Sequence, residues 1–304
     1  MINNPMNEVR TEKFTALAVI TAKLKDYGQL AKFRLSLLVV FSSLIGFLIA
    51  ANGNWQWPQL LLFLIAGFLV TASSNALNQV IEKDFDRMMK RTMNRPLPAN
   101  RMSVMEALLA AGIFAVGGLL IFLLYFNQLS AILSALALLT YAFIYTPLKR
   151  ISPVAVFVGA IPGALPLLIG VVSATGHFTP MGIGLFFIQF MWQFPHFWAI
   201  AWVSNDDYVK AGYYLLPSKQ GRTKFSALQI VMYILALIPV SLIPSWFGYT
   251  GWSSAIIILL CGMVFLYQSL VLYTECSVTA ARKLMFGSFF YLPIVQLALY
   301  LDRI

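Results

Sequence analysis

The chain has 304 residues, of which 60% are hydrophobic and 11% are charged, and its formal net charge is +10. Because so few polar residues cannot cover a soluble globule, the composition predicts an integral membrane protein embedded in the lipid bilayer. The positive charge does not indicate a nucleic-acid partner, since the basic residues are spread over short segments between apolar runs and form no binding motif.

Residues 1–34 form the first segment, which is polar at its start and then mildly amphipathic. Leu17, Ile20 and Tyr27 are interleaved there with lysines. We predict a cytoplasmic N-terminal segment whose amphipathic helix lies on the membrane surface. A cleaved signal peptide is not expected, because the apolar run is short and no convincing small-residue cleavage site follows it.

Apolar segments of near-spanning length make up most of the remaining chain, and each could cross the hydrocarbon core as a helix. Nine of them lie at 35–51, 58–81, 104–124, 128–147, 153–175, 178–203, 225–247, 252–273 and 284–301. The predicted fold class is therefore all-α, with about nine transmembrane helices, and residues 35–304 are predicted to form a single domain.

The connections between these segments fall into two sets. The short connections carry no Lys, Arg, Asp or Glu, whereas the second set, residues 82–103, 148–152, 204–224 and 274–283, is charged throughout. Of the 21 Lys and Arg residues, 20 lie in the N-terminal segment or in this second set. Since basic loops tend to stay in the cytoplasm, we predict that the N-terminus and the charged loops are cytoplasmic and that the C-terminus lies outside.

The first long charged loop begins with three oxygen-bearing residues at helical spacing, which we call the first-loop ladder. Asn78, Glu82 and Asp86 are four residues apart, so on a helix their side chains stack along one face, about 6 Å apart. Such oxygen ligands suit Mg2+, which takes one or two carboxylates and completes its shell with water and phosphate oxygens. The ordinary alternative is a solvated loop, but Asn78 lies within the apolar pattern, where an unpaired amide is costly.

Basic residues follow the first-loop ladder and predict a phosphate-containing ligand. Lys90, Arg91 and Arg95 lie one to three turns further along the chain, where they can neutralise a phosphate that the metal has bound. Carboxylates, metal and basic side chains together describe a diphosphate site.

The second long loop carries another acidic group on the same face. Asp206 and Asp207 are adjacent, and Lys210 follows about one turn later, as a further diphosphate contact. Alone, the acidic pair is typical of a turn or a helix cap. Together with the first-loop ladder it predicts one or two Mg2+ ions held across a diphosphate. The predicted catalytic and metal-binding residues are Asn78, Glu82, Asp86, Asp206 and Asp207.

The sixth apolar segment contains His196 among aromatic residues, with Gln189 and Gln193 earlier in the same segment. A buried histidine in a helical bundle often only bonds a neighbouring helix. The functional alternatives are an axial ligand to a haem iron or a hydrogen-bond partner for haem propionates.

These motifs resemble the intramembrane prenyltransferases of the UbiA superfamily, and most closely its haem-using branch. The resemblance runs from about Tyr27 to the last apolar segment. The sequence departs from the usual pattern of that branch at two places. Phe33 replaces a proline, and Tyr213-Tyr214-Leu215 replaces Ile-Pro-Met. The residues that carry the resemblance are Asn78-x-x-x-Glu82-x-x-x-Asp86, Lys90-Arg91-Thr92, Asn94-Arg95-Pro96, Asp206-Asp207-Tyr208, Ala211-Gly212 and Leu216-Pro217.

The resemblance implies a UbiA-type bundle around a central cavity that opens to the cytoplasmic side. The implied reaction transfers a farnesyl group from farnesyl diphosphate to a vinyl group of haem B, with addition of water, and yields haem O and diphosphate. Mg2+ is the implied cofactor, and His196 is our candidate for a haem contact. The implied setting is a bacterial inner membrane, with a periplasmic C-terminus and a downstream haem-modifying enzyme as a candidate partner.

Two other functions stay open as alternatives. A related prenyltransferase would use the same donor site with a quinone precursor or another aromatic acceptor. A secondary transporter also uses intramembrane carboxylates, but it tends to place them near the bilayer midplane, whereas these lie at the ends of the spans.

Overall fold

A computed structural model describes residues 5–304, with side chains from Leu17 onward. Over these residues the chain is helical, apart from turns and one isolated bridge between Thr250 and Arg303. A π-helical segment at Thr140–Tyr145 joins α6 to α7. The helices are α1 (Pro5–Leu30), α2 (Phe33–Ala51), α3 (Trp57–Ile81), α4 (Lys83–Asp86), α5 (Val104–Tyr125), α6 (Gln128–Leu139), α7 (Thr146–Leu148), α8 (Ala155–Thr175), α9 (Pro180–Val203), α10 (Asn205–Lys210), α11 (Lys224–Trp246), α12 (Trp252–Glu275) and α13 (Val278–Leu301).

Eight helical segments in the described part of the chain are long and apolar enough to cross a membrane: α2, α3, α5, α6 through α7, α8, α11, α12 and α13. The other long helix of the bundle, α9, has 24 residues but carries Gln189, Gln193 and His196. It packs against α8, α11 and α13, so neighbouring helices surround its polar side chains. The predicted fold class, an all-helical membrane bundle, is confirmed.

The predicted span boundaries agree with the helices to within two residues, with one exception. The last span is predicted from residue 284, but α13 begins at Val278. Ser277 caps this helix, because its hydroxyl accepts a hydrogen bond from the Ala280 amide (3.0 Å). Arg282 and Lys283 therefore lie inside the helix rather than in the preceding loop.

Three of the four charged connections meet at one end of the bundle, the charged end, which comprises residues 82–103, 149–154 and 204–223. Arg91 of the first long loop donates a hydrogen bond to Tyr208 of the second (3.0 Å), and Lys149 reaches Glu82 (2.7 Å). At the opposite end, Arg303 donates to Asn52 (3.2 Å). The loops that we expected to share a face therefore lie together.

The C-terminal half of α1 lies against the charged end. Lys23 Nζ is 3.0 Å from Glu106 Oε1, and Arg101 Nε is 2.9 Å from Asp26 Oδ1. The first four residues of the predicted N-terminal segment lie outside the described residues, and the position of the helix on the membrane surface stays a prediction. Its exposed apolar side chains include Leu17, Ile20 and Leu24.

Glycines allow α2 and α8 to approach closely. A Cβ on Gly46 would collide with the carbonyl oxygen of Leu167, and a Cβ on Gly170 would collide with that of Ser43. Small residues permit such backbone approach between membrane helices. In α8, 78% of the most apolar stretch is buried, the largest share among the eight candidate spans. This helix therefore forms the centre of the bundle.

Candidate active site

The first-loop ladder keeps its predicted spacing although α3 ends between its first and second residues, Asn78 and Glu82. The backbone hydrogen bonds continue past Ile81, from the Glu82 amide to Asn78 (2.9 Å) and from the Asp86 amide to Glu82 (2.8 Å). The three residues are at most 5% exposed. Because a buried carboxylate is costly without partners, the groups that surround these residues define the site.

Glu82 is held from two sides. Lys149 Nζ lies 2.7 Å from Oε1, and Asn78 Nδ2 donates to Oε2 (2.8 Å). Burial by itself would raise the pKa of Glu82, but the Lys149 ammonium outweighs that effect and holds the pKa below its ordinary value. The Glu82 carboxylate likewise raises the pKa of Lys149, although burial acts in the opposite direction. Both members of the pair are therefore charged at neutral pH.

Asp86 has a partner for only one of its two oxygens. Arg95 Nη1 lies 2.6 Å from Oδ2, whereas Oδ1 is buried and accepts no hydrogen bond from the residues that the structure describes. Burial raises the pKa of Asp86, and the Arg95 guanidinium offsets only part of this rise. Since an unpaired buried oxygen is costly, Oδ1 is an open position for a ligand.

Lys32 reaches the first-loop ladder from the junction of α1 and α2. Its backbone is left-handed (φ 47°), and its Nζ donates to Asn78 Oδ1 (2.8 Å). Burial lowers the pKa of Lys32 well below its ordinary value, and the charges of Arg95 and Lys149 lower it further. Three basic side chains thus surround two carboxylates, an arrangement that favours an added anion.

Tyr208 connects the second long loop to the first. Its hydroxyl accepts the hydrogen bond from Arg91, whose guanidinium also lies over the Tyr208 ring, with Cζ 5.4 Å from the ring centre. The Tyr208 hydroxyl is the main cause of a raised pKa of Arg91, and the carboxylates of Asp86 and Asp207 contribute to it. Asp207 therefore lies close enough to Arg91 for its charge to act on the guanidinium group.

Other predicted site residues lie at the surface. Asp206 forms two hydrogen bonds with Arg222 (3.1 and 3.2 Å), and its side chain is 76% exposed. Lys90 and Lys210 are also exposed. The structure thus brings Arg95 to the first-loop ladder. Arg91 is exposed and bonds Tyr208, and Lys90 and Lys210 lie outside the ladder.

The predicted metal ligands are not gathered into one cage. From residue 17 onward, no three His, Cys, Asp or Glu side chains come together closely enough to hold a metal ion. The donor set nevertheless fits Mg2+, because this ion is usually held by one or two carboxylates together with the oxygens of a bound phosphate. The unpaired Asp86 Oδ1 is the protein oxygen best placed for that role.

His196 is fixed in one orientation on α9, seven residues before the helix ends and therefore about 10 Å from that end along its axis. Its Nδ1 lies 2.8 Å from Ser288 Oγ, and Ser288 donates its own proton to the Met285 carbonyl (2.6 Å). The Ser288 oxygen must therefore accept from Nδ1–H, which leaves the lone pair on Nε2. Trp192 stacks on the ring at 4.3 Å.

A cavity of about 250 Å³ lies at the opposite end of the bundle, away from the first-loop ladder. Its lining includes Asn52, Thr175, Tyr249 and Arg303. The central cavity that we expected to open at the charged end stays a prediction.

Four residues at this site were not predicted from the sequence: Lys32, Lys149, Arg150 and Tyr213. Arg150 lies over the Phe85 ring, with Cζ 4.0 Å from the ring centre. Lys149 and Arg150 are the only basic residues of the short connection 148–152. A basic pair directly at the end of a span, on the face that carries the first-loop ladder, was the signal that could have identified Lys149 and Arg150.

The bundle has the fold of membrane-embedded prenyltransferases. It superimposes on digeranylgeranylglyceryl phosphate synthase with a TM-score of 0.77 and 23% identity, covering 92% of this chain and 98% of that one. A UbiA homologue from Archaeoglobus fulgidus bound to GPP and Mg2+ gives a TM-score of 0.72 at 15% identity, covering 90% of this chain and 99% of that one.

The chain belongs to the UbiA prenyltransferase family, whose model matches residues 39–292. The protoheme IX farnesyltransferase of Cytophaga hutchinsonii is 49% identical over 285 residues, which cover 94% of this chain and 100% of that protein. The enzyme of the same name from Christiangramia forsetii is 45% identical, over 92% of this chain and 94% of that protein. The family predicted from the motifs is confirmed, and the names of these relatives agree with the haem-using branch.

Substitution Lys149→Met tests the buried ion pair, because it leaves the Glu82 carboxylate without its main partner. We expect the free energy of unfolding in detergent to fall by about 3 kcal/mol at about pH 8. In the variant, only Asn78 and Lys32 still oppose the effect of burial. We expect the pKa of Glu82 to rise above its unfolded value, so the folded state gains a proton as the pH falls. The loss should therefore be smaller at about pH 5. The exposed Lys90→Met is the matched control, and equal losses at both pH values would contradict the pairing.

Proposed function

We propose that the protein transfers a farnesyl group from farnesyl diphosphate to a vinyl group of haem B, with addition of water, giving haem O and diphosphate. Binding of the diphosphate donor is supported by the pair of buried carboxylates within an excess of basic side chains. The acceptor half is supported by the names of the relatives and by the fixed His196 ring.

In this proposal, basic side chains bind the diphosphate. The guanidinium groups of Arg91 and Arg95 match pairs of phosphate oxygens, and Lys149 adds a point charge. Lys90 and Lys210, on the surface of the same end, are further proposed contacts.

Mg2+, when bound, neutralises the charge that develops on the departing diphosphate. Asp86 would hold it through Oδ1, and Asn78 and Glu82 would supply oxygens on the same face. Asp206 and Asp207 are the proposed ligands from the second long loop.

Departure of the diphosphate leaves an allylic carbocation, which must be shielded from water until the vinyl group attacks. Aromatic side chains stand next to the basic cluster and along α9. The Tyr145 ring centre lies 4.6 Å from Lys149 Nζ, and Tyr233 packs against Phe194 (4.5 Å) and Trp198 (5.0 Å). Ring faces stabilise a cation, and their packing excludes water.

The haem acceptor would contact His196. Since Ser288 holds Nδ1–H, the lone pair on Nε2 is oriented for a ligand, as in histidines that bind a haem iron. The stacked Trp192 prevents the ring from turning away.

The proposed setting is a bacterial inner membrane, with the charged end in the cytoplasm and the C-terminus in the periplasm. It is supported by the 20 of 21 basic residues in the N-terminal segment and the charged loops, and by the bacterial relatives. Residues 1–34 would then be cytoplasmic, and residues 35–304 would form the single catalytic domain. A haem-modifying enzyme is the proposed partner that takes the product.

A prenyltransferase that acts on a quinone precursor would use the same donor site and would differ only in the acceptor consumed. A transporter is less well supported, because the buried carboxylates lie at the charged end and not midway along the spans.

Product formation tests the proposed reaction. The membrane-reconstituted protein, given haem B, farnesyl diphosphate and Mg2+, should produce a haem heavier by a hydroxyfarnesyl group, detected by mass spectrometry. Asp86→Asn should lower turnover at least about a hundredfold, because it weakens charge stabilisation of the leaving group. Asp84→Asn is the matched control, since the Asp84 side chain is 79% exposed.

Two outcomes would contradict this proposal. If an aromatic acid were prenylated and no heavier haem formed, the acceptor would be a quinone precursor or another aromatic compound instead of haem B. Undiminished turnover by Asp86→Asn would remove the proposed metal site.

Haem binding tests the role of His196. His196→Ala should weaken haem affinity by about tenfold or more, measured by absorption titration of the full chain, because the axial or propionate contact is lost. His177→Ala is the control, since His177 is the other histidine and is exposed. Normal haem affinity and turnover in His196→Ala would contradict the assignment.

A further inference from the structure

Tyr213 lies between the two long loops of the charged end. Its amide donates to the Tyr208 carbonyl (2.8 Å), which turns the chain back after α10. Its ring packs against Phe85 of the first loop and Tyr208 of the second, with ring centres 6.2 and 6.1 Å away. The side chain is only 2% exposed. Tyr213 is thus, with Tyr208, an aromatic residue of the second loop that contacts the first.

The hydroxyl group of Tyr213 has no hydrogen-bond partner among the described residues. A buried tyrosine hydroxyl usually has one, because an unpaired donor is costly. Burial raises the pKa of Tyr213, and the carboxylates of Glu82 and Asp86 raise it further. The hydroxyl therefore keeps its proton and lies near the Glu82 carboxylate, with which it does not complete a hydrogen bond of good geometry.

Two unpaired groups consequently lie in the same region, because the Tyr213 ring packs against Phe85, the residue before Asp86. Among the described residues, Asp86 Oδ1 has no donor and the Tyr213 hydroxyl has no acceptor. A metal–diphosphate group supplies both, because the metal satisfies the carboxylate oxygen and a phosphate oxygen accepts from the phenol. An uncharged prenyl chain supplies neither.

We propose that Tyr213 is a diphosphate-binding residue, whose hydroxyl donates a hydrogen bond to a phosphate oxygen of the prenyl donor. This inference rests on the proposed donor site and does not depend on which acceptor is used. The bond would stabilise the charge on the departing diphosphate and would draw the second long loop against the first. Tyr213 stands where the haem-using branch usually has isoleucine, so the contact is one that the family resemblance does not supply.

Substitution Tyr213→Phe tests the proposal, because it removes the hydroxyl and keeps the ring between Phe85 and Tyr208. The measurement is calorimetric titration of the full chain in detergent with inorganic diphosphate in the presence of Mg2+. We expect the affinity to fall about tenfold, as for loss of a hydrogen bond to a charged group. The matched control is Tyr214→Phe, since the neighbouring Tyr214 is 49% exposed.

A second readout is the thermal stability of the ligand-free protein. Tyr213→Phe should be at least as stable as the wild type, because it removes an unpaired buried donor. Wild-type diphosphate affinity in Tyr213→Phe, or a clear loss of ligand-free stability, would overturn the inference and would assign the hydroxyl to a water or to packing. Failure of the wild type to bind Mg2+ and diphosphate would overturn the donor site itself, and this inference with it.

Discussion

The burial of two carboxylates at the end of an apolar bundle is the constraint on which the site depends. Glu82 and Asp86 cannot remain charged there unless cations reach them, and the cations come from different parts of the chain. Lys149 follows the fourth span and Arg95 lies within the first long loop. The Glu82–Lys149 pair therefore holds the first long loop against the bundle, and the Asp86–Arg95 pair fixes the fold within that loop.

The same pairs explain why the site suits a metal–diphosphate complex better than a metal alone. Each carboxylate already has a basic partner, so a bare cation would have to compete with an ammonium or a guanidinium group. A diphosphate changes this balance, because its oxygens can take over the basic side chains while the metal takes the carboxylate oxygens. Lys149 and Arg95 thus neutralise the two carboxylates, and together with Lys32 they are positioned to bind the anion.

Features that depend on local spacing could be predicted from the sequence, and features that depend on distant contacts could not. Runs of apolar residues determined the spans, and the four-residue spacing of Asn78, Glu82 and Asp86 predicted that they stack. The basic pair Lys149-Arg150 at the end of a span could have indicated a contact with that ladder, but nothing near Tyr213 in the sequence indicates that folding brings it there. Asp206 was expected beside it, but Arg222 of the same loop holds Asp206 at the surface. The start of α13 was predicted too late because the charged residues Arg282 and Lys283 were assigned to a loop, whereas the Ser277 cap sets the boundary.

The most direct test is a calorimetric titration of the ligand-free wild-type protein with Mg2+, with and without saturating inorganic diphosphate. The expected result is weak binding of Mg2+ alone and binding at least about tenfold tighter with diphosphate, with the reciprocal effect of Mg2+ on diphosphate affinity. Tight binding of Mg2+ alone, unchanged by diphosphate, would contradict a site whose carboxylates are neutralised by the protein's own basic side chains.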